Sequence, residues 1–236
     1  MATQYANGKI VTDGLVLALD AADRNSYVSG SLIWNDVSEN RYTGSLINSP
    51  GYSASNGGSL VFDGINEYIN LGFNPLYNIY NSDLANQKWT IEVWHNLSFK
   101  GNGQVLIGPY VGSIGFSIYL EAGTTNTGLM WTDGGRYLYS NGPLTGIGNT
   151  HIVMVFDGSS TQRSQYIYKN GILENSRTDV VVDTYPFLGT NMYIAGDGSS
   201  GGSNGGIYNF RIYRKALSAT EVLQNYNAQK SRFGLK

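Results

Sequence analysis

Cysteine is absent from the 236 residues, which excludes both a disulfide framework and a thiolate metal site. Charge is scarce: Asp, Glu, Lys and Arg make up 14% of the chain, and 15 basic against 17 acidic residues leave a net charge of −2. That balance argues against a nucleic-acid binder that works by neutralising phosphates. Basic residues form no block, so a polybasic attachment to membranes is not expected. No apolar run approaches the roughly 18 residues of a spanning helix. The opening MATQYANGKIVTDG lacks the charged start and apolar stretch of a signal peptide, so the expectation is a soluble chain made and assembled in a cytoplasm.

What remains is apolar, polar and aromatic. Hydrophobic residues at 41% supply one sizeable core, and an all-β unit of this length is commonly a single domain. Short apolar or alternating runs recur from residue 14 to about 214, among them GLVLALD, SLVFD, WTIEVWHNLS, HIVMVF, QYIYKN and IYNFRIY. Glycine-, asparagine- and serine-rich turns separate them. This pattern predicts many short antiparallel strands in a sandwich or barrel. Asn170-Gly171 and Asp133-Gly134 each lie between such runs and suit tight primed hairpin turns. One helix is signalled, in ALSATEVLQNYNAQK: Ser218 caps it, Glu221 completes a capping box, and Leu217 with Val222 forms a staple. Leu223 and Tyr226 then share the face expected to lie on the sandwich.

Alternation assigns faces. In WTIEVWHNLS, Trp89, Ile91, Val93, His95 and Leu97 point one way, and Thr90, Glu92, Trp94, Asn96 and Ser98 the other. The same reading sends Phe116, Ile118, Leu120, Leu138 and Ile167 inward. It leaves an outer face with Glu92, Trp94, Tyr119, Glu121, Tyr137, Tyr139, Tyr166 and Tyr168. Eighteen tyrosines against eight phenylalanines fit such a face, because tyrosine can bury its ring and keep its hydroxyl wet.

In order, GLVLALDAADRNSY, SLVFDGINEYINLG, WTIEVW, HIVMVFDGSSTQRSQYIYKNGIL, NMYIAGDG and IYNFRIYRKALSATEVLQNY resemble a laminin G-like jelly roll of the concanavalin A-like lectin and glucanase superfamily. The resemblance covers residues 14–226, leaving an N-terminal arm, 1–13, and a C-terminal tail, 227–236. It implies an all-β antiparallel β-sandwich with one short C-terminal helix, and glycan or protein ligands on one face or at a rim. Many members bind calcium through rim acids; others do not. Tyr208-Asn209-Phe210 stands where the family often carries an Asp-Glu pair. The ending NYNAQKSRFGL resembles versions of this domain found in virion proteins of tailed bacteriophages.

The chemical candidates follow. FDG occurs twice, at Phe62-Asp63-Gly64 and Phe156-Asp157-Gly158, and Asp before Gly starts turns by bonding its own backbone. Turn-making is therefore the expected role of both; Asp63 is also the one candidate calcium ligand, although no loop of alternating acids surrounds it. Hydrolysis needs two carboxyl groups about 5–9.5 Å apart. The related glucanases place theirs on one strand as E-x-D-x-x-E, but Trp94 and Asn96 stand two and four after Glu92. Glu92 with Glu121, or Asp179 with Asp183, would have to serve instead. His95 faces the core and His151 starts an apolar run, so neither suggests a metal pair. No G-x-S-x-G elbow stands between a strand and a helix. GDGSSG at 196–201 matches a dinucleotide motif by letter but leads into a strand, not a helix. The sequon Asn96-Leu97-Ser98 lies within a strand.

The expectation is a non-enzymatic surface protein of a tailed-phage virion, of capsid-decoration or head-fibre type, assembled in the bacterial host cytoplasm. Its expected partners are other virion proteins including the major capsid protein, a bacterial surface glycan, and further copies of itself. Nucleic acid and membrane are not among them, and calcium is the only cofactor in question. Glu92, Trp94, Tyr119, Glu121, Tyr137, Tyr139, Tyr166 and Tyr168 form the expected binding face, toward a glycan or toward neighbouring subunits. A receptor-binding fibre tip or free lectin is the alternative, and a glycoside hydrolase the minor one.

Overall fold

The computed structural model describes residues 4–5, 8–76, 87–108, 117–121, 127–132, 136–158, 162–180, 191–196 and 202–236. The Asp133-Gly134 turn, Phe116, Asp183 and most of GDGSSG lie outside the described residues. β1 (Gln4–Tyr5) and β2 (Gly8–Lys9) form a small ribbon. There follow β3 (Leu15–Asp20), β4 (Ile33–Asn35), β5 (Thr43–Ile47), β6 (Gly51–Ser53), β7 (Ser59–Asp63), β8 (Tyr68–Asn70) and β9 (Lys88–Leu97). Next come β10 (Gln104–Gly108), β11 (Ser117–Glu121), β12 (Thr127–Thr132), β13 (Arg136–Pro143) and β14 (Thr150–Gly158). The last strands are β15 (Gln162–Lys169), β16 (Ile172–Val180), β17 (Tyr193–Ile194) and β18 (Asn204–Tyr213), before helix α1 (Ala219–Gln229).

The strands build two antiparallel sheets in a jelly roll. The front sheet runs β13-β12-β11-β10-β17-β8-β5-β4, and the back sheet β16-β15-β14-β9-β18-β7-β6, with β3 also on β18. Long crossovers set β9 between β14 and β18, and β17 between β10 and β8. These connections are what separate a jelly roll from a simple meander. Asn170 and Gly171 both take positive φ, 52° and 79°, as a type I′ turn demands, and join β15 to β16.

The core lies between the sheets. Trp34, Ile69, Ile107, Ile118 and Leu138 meet Trp89, Ile91, Val93, Met154, Phe156, Ile167 and Phe210 there. The inward set expected on β9 is buried as read, His95 included. The other side of the back sheet is buried as well. Val153, Val155, Tyr168 and Tyr213 form a second apolar cluster with Val11, Leu217 and Val222. Trp94, Tyr208 and Phe233 form a third. A strand covered on both faces has no reason to alternate, which explains the unbroken HIVMVF of β14.

Helix α1 and the residues after it provide that cover. Ser218 Oγ accepts the Glu221 amide at 3.3 Å while Glu221 Oε2 accepts the Ser218 amide at 2.9 Å, the reciprocal capping box. Leu217 and Val222 are both buried, as the staple requires. The face on the sandwich differs from the expected one, however. Val222, Asn225, Ala228 and Gln229 are buried, Tyr226 is half-buried, and Leu223 is 44% exposed. With Val222 stapled inward, its neighbour Leu223 is turned about 100° around the axis toward solvent. The helix also continues past 226 to Gln229, and a 3₁₀ turn over Lys230–Phe233 lays Phe233 on Trp94, ring centroids 4.1 Å apart.

Candidate functional site

The expected outer face is divided between the two sheets, and most of it is covered. Glu92, Trp94, Tyr166 and Tyr168 lie on the back sheet, and Tyr119, Glu121, Tyr137 and Tyr139 on the front. Glu92, Trp94 and Glu121 are fully buried and Tyr168 is 6% exposed. Tyr119 and Tyr166 are half-buried, and only Tyr137 and Tyr139, on β13, stand open at 43% and 49%. Periodicity distinguishes the two sides of a strand but cannot say what a distant segment lays over the outer one.

Glu92 shows what the cover does. Its Oε1 accepts from Arg211 Nη1 at 2.7 Å and lies 3.2 Å from His151 Nε2, in a poorly aligned contact. Its Oε2 accepts from Asn225 Nδ2 at 2.6 Å. Gln229 Oε1 accepts from Arg211 Nη1 at 3.1 Å and from Asn209 Nδ2 at 3.3 Å. Asn225 Oδ1 accepts the Val11 amide at 2.8 Å. Burial alone would raise the Glu92 carboxyl, but the Arg211 charge, the His151 contact and Asn225 together hold it at about 2. Tyr213, beside it, is driven well above its ordinary value by burial and by the Glu92 charge. A carboxylate so engaged clamps the helix to the sheet, and its full burial closes it to an incoming sugar.

Glu121 is equally engaged. It takes the backbone amides of Lys100 at 2.8 Å, of Gly101, and of Gly103 at 3.4 Å, with Gln104 Nε2 at 2.6 Å. Amides converging on one anion hold the 100–103 loop in shape. Glu121 lies on β11 of the front sheet and Glu92 on β9 of the back sheet. Asp179 pairs with Arg177 at 2.7 Å. Asp63 Oδ1 accepts the Ile65 amide at 2.8 Å, the expected turn bond. Asp157 departs from expectation: it sits within β14 and pairs with Lys88 across the strands at 2.9 Å. Among the described residues no three His, Asp or Glu side chains converge as metal ligands would.

His95 and His151 are both buried. His95 Nδ1 accepts the Leu97 amide at 3.1 Å, and burial, followed by the nearby His151, pushes its basicity down to about 3. It is therefore a neutral core group. His151 stacks on Trp94, ring centroids 4.9 Å apart.

Open polar groups gather elsewhere, at the rim where the β3–β4 and β4–β5 loops meet. A cleft of about 500 Å³ is lined there by Asn25, Asn35, Asp36, Glu39, Arg41 and Tyr42, among others. Asp36 builds it: Oδ1 accepts the amides of Ala18 and Ser38 at 2.8 Å, and Oδ2 accepts Ser38 Oγ at 2.6 Å and the Tyr42 amide at 3.2 Å. Tyr42 is braced against Phe73, ring centroids 4.0 Å apart. Asn25, Asn35, Glu39 and Arg41 are exposed at the lip. Amide, guanidinium and carboxylate around a tyrosine suit a hydroxyl-rich ligand. The sequence carries only a faint sign of this site, the D-x-S of Asp36-Val37-Ser38 that folds the second loop.

A laminin G-type family profile, described as the concanavalin A-like lectin/glucanases superfamily, matches residues 71–223. The chain belongs to this superfamily. Solved structures agree on the fold of this laminin G-type sandwich. A sialidase of Trypanosoma rangeli, bound to the inhibitor DANA, superposes with TM-score 0.65 at 17% identity over 95% of this chain and 34% of its own. Domain 4 of AbnA, a GH43 extracellular arabinanase of Geobacillus stearothermophilus in complex with arabinotriose, gives TM-score 0.64 at 16% identity, covering 90% of this chain and 98% of that domain. The receptor-binding domain of botulinum neurotoxin type G gives 0.63 at 15% identity over 92% and 52%. The chain thus spans about a third of the sialidase and half of the toxin domain. A search of curated protein sequences finds no match.

Proposed function

We propose that this chain is a non-enzymatic glycan-binding sandwich that uses the rim cleft and serves as a surface protein of a tailed-phage virion, as a capsid decoration or head fibre. The observation that carries the binding reading is the contrast between closed and open polar groups. Glu92 and Glu121 are buried, satisfied and in different sheets, whereas Asn25, Asn35, Glu39 and Arg41 stand exposed around one cleft. That an arabinanase domain of nearly the same extent was solved with arabinotriose supports a sugar as the ligand class. Support for the virion setting is the resemblance of NYNAQKSRFGL to phage proteins; its partners there would be capsid subunits or further copies of this chain.

The test has two arms. Purified protein is titrated against a panel of bacterial surface polysaccharides, with calcium and with chelator, beside an Arg41→Ala variant. Binding that weakens in the variant, without cleavage products, is the expected result; release of reducing ends would overturn the non-enzymatic reading. Gold-labelled antibody on intact particles is expected to mark the head. Label at the tail would instead support the receptor-binding tip, and unlabelled particles would sink the virion setting.

A further inference from the structure

The segment after β3 serves two hollows. Asp23 and Asn25 line the rim cleft, whereas Ala22 and Arg24 line a second hollow of about 710 Å³. That volume is of small-molecule size. Its walls are aromatic: the rings of Tyr27 and Tyr52 lie 5.5 Å apart, tilted by 36°. Tyr27 is buried and fixed by a 3.2 Å hydrogen bond from its hydroxyl to the Ser31 carbonyl. Tyr52 is 37% exposed and offers its ring to solvent.

The floor stays open for want of side chains. A Cβ at Gly57 would come within 3.3 Å of Ala22 Cβ, and one at Gly58 within 2.8 Å of the Tyr52 hydroxyl. Arg232 holds this floor by donating to the carbonyls of Asn56 at 2.6 Å and Gly58 at 3.0 Å, its charge met by Asp20 at 2.9 Å. Arg24 differs: it is exposed and has no hydrogen bond or ion pair among the described residues. A built aromatic wall, an open floor and one uncommitted guanidinium therefore face the same space.

We infer that this hollow is a second carbohydrate subsite, for a sugar ring that carries a carboxylate. The apolar face of the ring packs on Tyr52, and the carboxylate takes the paired N–H groups of Arg24, a geometry lysine cannot reproduce. The inference rests on the glycan-binding reading and names a ligand class for it.

Titration of the full chain with oligogalacturonate and with neutral oligogalactan of equal length tests it. Charge-assisted pairing predicts about tenfold tighter binding of the acidic oligomer. Arg24→Gln is expected to erase that preference and leave the neutral affinity, while Tyr52→Ala weakens both, with unchanged circular dichroism confirming the fold. Acidic binding untouched by both variants overturns the subsite; if Arg41→Ala then abolishes it, the rim cleft stands alone. Failure of both oligomers to bind also overturns the subsite, and the rim cleft is then judged by the Arg41→Ala response on the wider panel.

Discussion

Glu92 and His95 stand three residues apart on one strand, and both lose their stabilising effect as pH falls, over overlapping windows. Glu92 is held at about 2 by Arg211, His151 and Asn225 against its burial. Its stabilising effect is complete above the ordinary value of 4.5 and is lost as pH falls from there toward 2. His95, lowered to about 3 from 6.5 by burial and His151, is neutral in the fold, so the unfolded chain takes up its proton first. That drains stability as pH falls from 6.5 toward 3. Unfolding free energies from urea titrations are therefore expected to drop by up to about 1.4 kcal/mol per pH unit between pH 6.5 and 4.5, then more steeply below. His95→Gln should flatten the upper segment and reduce the lower to the Glu92 contribution; an unchanged upper slope would show that another group titrates there. Removing the carboxylate that balances the buried Arg211 charge, Glu92→Ala should cost about 3–5 kcal/mol, and replacing both partners by apolar residues markedly less.

Helix α1 is the element on which the back of the sandwich depends. Its cap and staple were legible in the sequence because they are local: Leu217, Ser218, Glu221 and Val222 lie within six positions. Its docking face was not, since Asn225 and Gln229 look like solvent-facing amides until Glu92 and Arg211 arrive from other strands. The same holds for NYNAQKSRFGL, whose Asn225, Gln229, Arg232 and Phe233 each have a packing partner on the sandwich. Phe233→Ala should cost about 3–5 kcal/mol and shift tryptophan emission to the red as Trp94 becomes wet; unshifted emission would mean that the helix alone covers Trp94. Gly171→Ala tests the neighbouring hairpin. It combines a φ of +79° with a Cβ 3.1 Å from Leu223 and Tyr226, and should lower the unfolding free energy by more than the roughly 1–2 kcal/mol of a left-handed residue alone.

At the scale of the whole molecule, both ends of the chain are tied to one face. Asn225 Oδ1 accepts the Val11 amide, Gln224 donates to the Lys9 carbonyl at 2.9 Å, and Lys215 bridges Asp13 and Glu221 at 2.6 Å each. Arg232 reaches back to Asp20 at the end of β3. Calorimetry should accordingly show one cooperative transition whose van't Hoff and calorimetric enthalpies agree. Deleting residues 230–236 should move that transition down as a unit, and a second, separate transition would contradict the coupling. The front-sheet edge is guarded in the same economical way. Ser31 Oγ meets both the amide and the carbonyl of Ile33, and Asn35 donates to the Ser26 carbonyl, so β4 offers little free backbone to another strand.

Local chemistry in the sequence was enough for the strands, the Asn170-Gly171 turn, the capping box, the inward faces of β9 and β15, and the Asp63 turn. Each depends on period-two alternation or on residues a few positions apart. The superfamily too was legible, as an ordered set of such runs. Tertiary structure alone decided that Glu92 and Trp94 lie beneath residues more than a hundred positions later, that Glu121 closes a loop, and that the open polar groups collect between two rim loops. A strand's alternation records which way a side chain points. Whether water or another segment waits there is settled by contacts far apart in the chain, which no local pattern encodes.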